Sequence, residues 1–132
     1  MTELRAALVE FRDSTVHSKQ STRSWIESAI AHGRGTEVNS QSFYRVCTAG
    51  DVCLSYADYS NTHHFVSCCG SLAAANLIKR YPPNPFANKV ARVVVTGKVI
   101  QMVYDDGSAG KRKADEDEYI VPLRYIVSAN LV

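Results

Sequence analysis

Two glutamates stand just before an apolar segment in the last quarter of the chain. Glu116 and Glu118 are separated by one residue and lead directly into residues 119–121, a pattern that predicts a β-strand. In an extended chain, side chains two residues apart point the same way, so the two carboxylates are expected side by side at the start of this strand. Such a pair suits chemistry in which one carboxylate stabilises a developing cation and the other assists a nucleophile.

The same glutamates also belong to a charged segment, residues 110–118, in which three basic residues precede four acidic ones. This composition is typical of a solvated loop whose charges offset one another. A further alternative is a non-enzymatic binding module that uses residues 105–118 as a contact loop, with Lys111, Arg112 and Lys113 touching a protein or RNA. No aromatic residues interleave with these cations, as they do in surfaces that stack on bases.

Two other polar residues fall inside predicted strands. Arg45 lies in the aromatic segment 42–47, and Ser67 lies in the short segment 64–68 that precedes a helix-forming stretch. A strand arginine commonly faces solvent, whereas an inward one needs an anionic partner and would bind phosphate or carboxylate through its planar guanidinium. Ser67 is either an ordinary polar residue near a strand end or a hydrogen-bond donor to a sugar or a carboxylate.

The order of these motifs resembles that of mono-ADP-ribosyltransferases of the Arg-Ser-Glu class, the cholera-toxin-like group. In that family an aromatic-Arg pair, here Tyr44-Arg45, lies on the first strand, and Ser-Thr-Ser or a relative, here the stretch 66–68 around Ser67, lies on a middle strand. A late strand begins with Glu-x-Glu, here Glu116 to Glu118, and continues apolar. The three motifs span residues 43–122 but match few positions, and two cysteines follow Ser67 where the family has further hydroxyls.

The resemblance implies a fold, a substrate and a reaction. The fold would be α+β in a single domain, with N-terminal helices in residues 1–35 and two packed, mainly antiparallel sheets in residues 42–132 that form the NAD-binding core. The reaction would transfer ADP-ribose from NAD, as a substrate, to a macromolecular acceptor, with an arginine side chain as the first expectation. A protein acceptor is favoured over nucleic acid, and the enzyme would be of the toxin-like or effector-like kind.

The resemblance also implies roles for four residues within predicted strands or directly before one. Arg45 would hold the phosphate or ribose of NAD, and backbone groups of Val46 would bind the nicotinamide amide. Ser67 would orient the nicotinamide ribose and the catalytic carboxylate. Glu118 would stabilise the oxocarbenium-like cation as nicotinamide leaves, which is electrostatic stabilisation where charge develops.

Three further residues complete the implied site. Glu116 would position or deprotonate the acceptor. Tyr56 or Tyr59 would cover the nicotinamide ring, although a tyrosine more often packs in a core with its hydroxyl outward.

The cysteines and histidines suggest two other kinds of site. The chain has four cysteines, Cys47, Cys53, Cys68 and Cys69. They are expected as reduced thiols, because two are adjacent and no export signal is visible. His63 and His64 precede the adjacent cysteines closely, but neighbouring side chains on a strand point to opposite sides, so no metal site is expected. We expect one cysteine of the adjacent pair to be buried and the other exposed, and a buried thiol is usually inert as a nucleophile.

Length and composition favour one globular domain. The chain has 132 residues, of which 45% are hydrophobic and 21% charged, and its net charge of +2 does not call for nucleic acid or an anionic membrane as partner. No apolar run approaches the roughly 18 residues of a membrane span. The N-terminus has no basic region followed by an apolar stretch, so we expect a cytoplasmic protein or one delivered to a target cytosol.

The first third of the chain predicts two helices. Apolar residues from Leu4 to Phe11 recur at helical spacing, with Thr2 as a candidate N-cap. A second helix is expected from residue 21 or 22 to about residue 31, ended by Gly33. Residues 33–36 are expected to form a loop before the strand at 42–47.

The remainder predicts one helix and a series of strands. Ser71 is expected to cap a helix over residues 72–81. Later strands are expected at 90–95, 99–104, 119–121 and 123–132, with Gly97 marking a bulge or bend. Helices followed by strands are typical of α+β domains with antiparallel sheets.

Overall fold

The computed structural model describes residues 2–13, 20–47, 65–79, 89–103 and 117–132. The helices in these ranges are α1 Thr2–Asp13, α2 Gln20–His32 and α3 Leu72–Lys79. The strands are β1 Gly33–Cys47, β2 Phe65–Cys69, β3 Lys89–Met102, β4 Glu118–Pro122 and β5 Ile126–Leu131, and a short 3-10 turn, Leu123–Tyr125, joins the last two. The predicted α+β class is confirmed at this level. No helix in these ranges is both long enough and apolar enough to cross a membrane.

The described strands form one antiparallel sheet in the order β1-β2-β4-β3-β5. In addition, β1 pairs with β3 from the register Gly33↔Met102 to Cys47↔Lys89. The pairings among β1, β2, β4 and β3 therefore form a closed circuit, and β5 is attached to the first half of β3. We call the side of the sheet that the circuit encloses the inner face and the opposite side the outer face.

This single sheet differs from the two packed sheets expected from the sequence. The reason lies in the two long strands, which have 15 and 14 residues and change neighbours along their length. On β1 the register shifts between Val38 and Gln41, and Ser40 has a φ of 49°. A bulge bends a strand and increases its twist. Because β1 and β3 bend in this way, they continue around the circuit as single strands, and the sheet does not divide into two.

Gly97 allows β3 to remain one strand, where two were expected at 90–95 and 99–104. Its φ of 139° is a conformation that other residues rarely adopt. The ring of Tyr125 also packs so closely that a Cβ at position 97 would lie 2.6 Å from the Tyr125 Cγ. At Gly97 the backbone therefore departs from regular strand geometry, and the ring of Tyr125 packs directly against it.

Residues 33–36 belong to β1, so the predicted loop is wrong. They pair with residues 99–102 of β3, from Gly33↔Met102 to Thr36↔Val99. The two glycines and the absence of an apolar pattern favoured a loop, but pairing with a buried strand overrides weak local preference. The helix before them ends at His32, as predicted.

The core lies on both faces of the sheet. On the inner face, buried side chains from β1, β2, β3 and β4, such as Phe43, Val66, Val93 and Val121, form one cluster. On the outer face, α1 and α2 cover one part of the sheet and α3 covers another. Leu4 and Leu8 of α1 are fully buried there, which confirms the predicted apolar face of this helix.

Helix α3 begins as predicted. The backbone amide of Ala74 donates a hydrogen bond of 3.1 Å to the Ser71 hydroxyl, which is the geometry of an N-cap. The buried Ala74 and Ala75 face the sheet and pack with Cys69 and Val90. Small alanines let the helix lie close to the strands that carry the candidate site.

Candidate functional site

A cavity of about 310 Å³ lies where β1, β2 and β4 meet α3. We call it the carboxylate cavity. Its lining combines one carboxylate, one guanidinium-bearing residue and two hydroxyl-bearing residues with apolar groups, namely Tyr44, Arg45, Val46, Ser67, Cys69, Ile78 and Glu118. The predicted site residues Arg45, Val46, Ser67 and Glu118 therefore border one space, although they come from three strands.

Two residues that line this cavity, 51 positions apart in the chain, form a hydrogen bond with each other. The Ser67 hydroxyl donates to Glu118 Oε2 at 2.5 Å. Register explains the contact, because Cys69 lies directly opposite Glu118 in the β2–β4 pair and Ser67 is the diagonal neighbour on the same face. Glu118 is only 5% exposed, so its carboxylate is held in a fixed orientation and largely shielded from water.

The start of β4 is held by a close approach to Gly70. The Gly70 amide donates a hydrogen bond of 2.9 Å to the Asp117 carbonyl. A Cβ at position 70 would collide with Asp117 Oδ2 and lie 2.8 Å from Tyr119 Cε2, so a larger residue here would force these two side chains to move. This contact sets where β4 begins and hence where Glu118 lies.

The same turn changes the expectation for the glutamate pair. Asp117 has a φ of 47°, in the left-handed region, and is not extended. The side-by-side placement of Glu116 and Glu118 assumed extended backbone between them, so that geometric reason does not hold at Asp117. Glu116 itself lies outside the described residues, as do Tyr56 and Tyr59, and their roles stay predictions.

Arg45 occupies a different position from the other lining residues. Alternation along β1 places it on the same side as the buried Phe43 and Cys47, opposite to Tyr44 and Val46. Its positive charge also acts on the Cys68 thiol, which belongs to the inner cluster. Arg45 thus lines the carboxylate cavity, and its charge also acts on a residue of the inner face.

Both cysteines of the adjacent pair are buried, so the expectation that one is exposed is wrong. Cys68 is 2% exposed in the inner cluster, and Cys69 is 5% exposed beneath α3. Both sides are covered because β2 lies between β1 and β4 with core on each face. Burial raises the pKa of the Cys68 thiol to about 12, with opposition from the Arg45 charge and smaller upward effects of Cys69 and Glu118. A thiol in this state is a poor nucleophile at neutral pH.

The other cysteines and histidines add no site within the described residues. Cys47, Cys68 and Cys69 are free thiols, as expected, and Cys53 lies outside the described ranges. In those ranges no three His, Cys, Asp or Glu residues come together in a way that could hold a metal ion. His63 and His64, which raised the question of a metal site, also lie outside them.

Two residues of the cavity were missed from the sequence. Cys69 follows Ser67 by two positions, so strand alternation was a usable signal that both face the same way. Ile78 follows Ala74 and Ala75 by one helical turn, which places it on the covered face of α3, but which strand it meets depends on tertiary packing. The half-buried Tyr44 was noted only as part of the aromatic-Arg pair.

Comparison with known proteins gives no relative: no family model, no curated protein and no solved structure matches this chain.

Proposed function

We propose that this protein is a mono-ADP-ribosyltransferase that uses NAD as a substrate and transfers ADP-ribose to a macromolecular acceptor, first of all an arginine side chain of a protein. The observation that carries the proposal is the buried Glu118 carboxylate, oriented by the Ser67 hydroxyl at a cavity. The resemblance of the three motifs supplies the reaction class, and the meeting of Arg45, Ser67 and Glu118 at one cavity supports it.

A shielded, oriented carboxylate suits the bond cleavage that this reaction requires. The bond between C1′ of the nicotinamide ribose and the ring nitrogen breaks, its electron pair leaves with nicotinamide, and the sugar becomes cationic. Glu118 would hydrogen-bond a ribose hydroxyl and stabilise that cation. Electrostatic stabilisation is stronger at a site from which water is largely excluded, and a carboxylate already in place needs little reorganisation.

The size and lining of the carboxylate cavity suit the nicotinamide-ribose half of NAD. Its volume of about 310 Å³ lies at the lower end of the range of roughly 300–1,000 Å³ that is usual for small-molecule sites. Tyr44, Cys69 and Ile78 supply apolar and aromatic surface for a ring. The backbone of Val46 would bind the nicotinamide amide, and Arg45 would contribute positive charge at the border of the cavity.

The second step joins the sugar to the acceptor. A nitrogen of the acceptor forms the new bond to C1′ and loses a proton, and Glu116 would position the acceptor or take that proton.

The test is release of nicotinamide from NAD by the purified full chain, with and without arginine-containing acceptors. Glu118→Gln keeps the size of the side chain and removes its charge, and the matched control is Glu37→Gln at an exposed position of β1. We expect release by the wild type and by Glu37→Gln, and a loss of at least about 100-fold in Glu118→Gln. Equal release by the wild type and Glu118→Gln would disprove the proposed role of this carboxylate.

A binding module is the alternative outcome of the same experiment. If no variant releases nicotinamide and calorimetry shows no binding of NAD, the charged segment 105–118 becomes the functional element. Neutralising Lys111, Arg112 and Lys113 should then abolish binding of the partner. In an ADP-ribosyltransferase the same triple variant should retain NAD cleavage.

A further inference from the structure

A second cavity, of about 360 Å³, lies on β3 and β5. We call it the arginine cavity. Its lining includes one cation, two neutral hydrogen-bonding side chains and three aliphatic side chains, and no acidic residue, namely Arg92, Val94, Ser128, Asn130, Leu131 and Val132. Guanidinium, hydroxyl and amide groups are the donors that proteins commonly offer to phosphate oxygens. Val94 and Val132, which alternate with the residues of the opposite face, offer an aliphatic surface on which a ring could pack.

A hydrogen bond positions Arg92 and leaves other N–H donors of its guanidinium available to a ligand. Its Nε donates a hydrogen bond of 3.1 Å to the Ser42 hydroxyl of the neighbouring strand. Among the described residues, Ser42 is the one whose side chain hydrogen-bonds to Arg92. The guanidinium of an arginine has five N–H donors in all. The remaining donors suit a forked contact with an anion such as phosphate.

Strand register places the two cavities on the same face of the sheet. Direct partners in antiparallel strands share a face, and four pairings link one row across the sheet: Glu118↔Cys69, Cys69↔Tyr44, Tyr44↔Arg92 and Arg92↔Asn130. The linings of the two cavities are neighbours at the third pair, because Tyr44 lines one cavity and Arg92 lines the other. Glu118 and Arg92 are three strand spacings apart, about 14 Å along the sheet.

The position of Arg92 also answers a difficulty with Arg45. Arg45 was expected to hold the phosphate of the substrate, yet alternation puts it on the side of β1 opposite to Tyr44. Arg92 shares the face of Tyr44 and Glu118. Among the residues that line the two cavities, Arg92 is therefore the cation that shares the face of Glu118.

We propose that the arginine cavity binds a nucleoside phosphate, with its phosphate on Arg92, Ser128 and Asn130 and its nucleoside against Val94 and Val132. In the proposed reaction this is the adenylate half of NAD, whose nicotinamide-ribose half occupies the carboxylate cavity. The identification of the dinucleotide rests on the proposed function. The affinity of the arginine cavity for a nucleoside phosphate does not.

The test is a binding titration followed by NMR on the full-length, isotope-labelled chain. The probes are AMP, nicotinamide mononucleotide, inorganic phosphate and NAD, added separately. We expect AMP to shift the amide signals of Ser128 and Asn130 and the Nε signal of Arg92. Arg92→Gln should weaken AMP binding by about tenfold, the effect of losing one charge-assisted contact. The matched control is Arg34→Gln, which removes the same charge from an exposed position near the start of β1. This variant should change the affinity for AMP by less than about twofold.

The probes separate this proposal from the proposed function. Shifts by AMP at the arginine cavity without shifts by nicotinamide mononucleotide near Ser67 would support the subsite and count against NAD chemistry. NAD that shifts both cavities with one dissociation constant would identify AMP as a mimic of its adenylate half. NAD shifts confined to the arginine cavity would identify a separate nucleotide site.

Three results would overturn the subsite. They are the absence of AMP shifts at millimolar concentration, AMP shifts confined to the carboxylate cavity, and equal AMP affinity of the wild type and Arg92→Gln. Binding of inorganic phosphate as tight as that of AMP would show that the nucleoside makes no contact, and would reduce the site to a simple anion site.

Discussion

The two cavities share one sheet face but expose their charged groups differently. In the carboxylate cavity, Glu118 is 5% exposed, accepts a hydrogen bond from Ser67 and lies close to α3. In the arginine cavity, Arg92 is exposed and lies beside β5, a strand whose side chains are mostly exposed. Burial of a charge is costly and is tolerated only with compensation, so in the proposed reaction Glu118 would be the reacting group and Arg92 a ligand contact.

The first and largest expected difference between the cavities is that a variant of one lowers kcat and a variant of the other raises KM. Glu118→Gln should lower kcat for nicotinamide release by at least about 100-fold, because it removes stabilisation present in the transition state. Arg92→Gln should raise the KM for NAD by about tenfold, because it removes a contact made equally in the ground state. Steady-state kinetics of both variants checks this, and a KM effect confined to Glu118→Gln would reverse the two assignments.

The second prediction concerns the turn that holds Glu118. Gly70→Ala should lower the free energy of unfolding by about 1–3 kcal/mol, because the new methyl group collides with Asp117 and Tyr119. Asp117→Gly in the same chain should restore part of that loss, since it removes the carboxylate and suits a φ of 47°. Urea denaturation measures both variants.

The comparison of the cavities adds a control to that experiment. AMP binding at Arg92 should be retained in Gly70→Ala under conditions where the protein is folded, while nicotinamide release falls. No recovery of stability in the double variant would mean that the approach to Asp117 is not what requires glycine at position 70.

The third prediction compares two serines, one in each cavity. Ser67→Ala leaves a buried carboxylate without its hydroxyl donor and should cost about 1–3 kcal/mol of stability. Ser128→Ala changes an exposed hydroxyl on β5 and should stay within about 0.5 kcal/mol. Parallel denaturation curves check the pair, and equal losses would show that the Ser67 hydrogen bond contributes nothing beyond an ordinary surface position.

The smallest effect that the denaturation curves should show is a dependence of stability on pH between pH 8 and pH 10, of at most about 1.4 kcal/mol. The folded pKa of Cys68 is about 12, above the ordinary 9.0, so the folded state favours the neutral thiol. Its contribution to stability is therefore complete below pH 9 and is lost as the pH rises from 9 towards 12, by at most about 1.4 kcal/mol per pH unit. Tyr119, whose pKa is raised first by burial and then by Asp117, acts in the same direction.

Denaturation at pH 8 and pH 10 in the wild type and in Cys68→Ala measures this dependence. The variant should lose less stability between the two pH values than the wild type does. A thiol reagent should leave Cys68 unmodified at pH 8 in the folded protein and modify it after unfolding. Rapid modification in the folded state would contradict a buried, neutral thiol.

Local signals account for much of the secondary structure. Helical spacing of Leu4 and Leu8 predicted α1, and Ser71 before a run of alanines predicted the start of α3, because a cap and an apolar stripe act within one or two turns. The strand that begins at Glu118 was predicted to within a residue, since an apolar run ends at Pro122. These features depend on residues close together in the chain.

Other features could not be read in this way. Residues 33–36 became a strand because β3 was available to pair with them, and Cys69 became buried because α3 packs on it. Asp117 has left-handed backbone, which removes the reason to expect Glu116 beside Glu118, and its carbonyl accepts a hydrogen bond from the Gly70 amide. Each of these outcomes depends on a partner far away in sequence.

The candidate site divides along the same line. Residue types and their order along the chain were sufficient to select Arg45, Ser67 and Glu118, since chemistry depends on functional groups that the sequence states directly. The hydrogen bond from Ser67 to Glu118, the exclusion of water around that carboxylate and the row that joins it to Arg92 were decided by strand register. Register is a property of pairing between distant segments, and a shift of one residue would turn every one of these side chains to the other face.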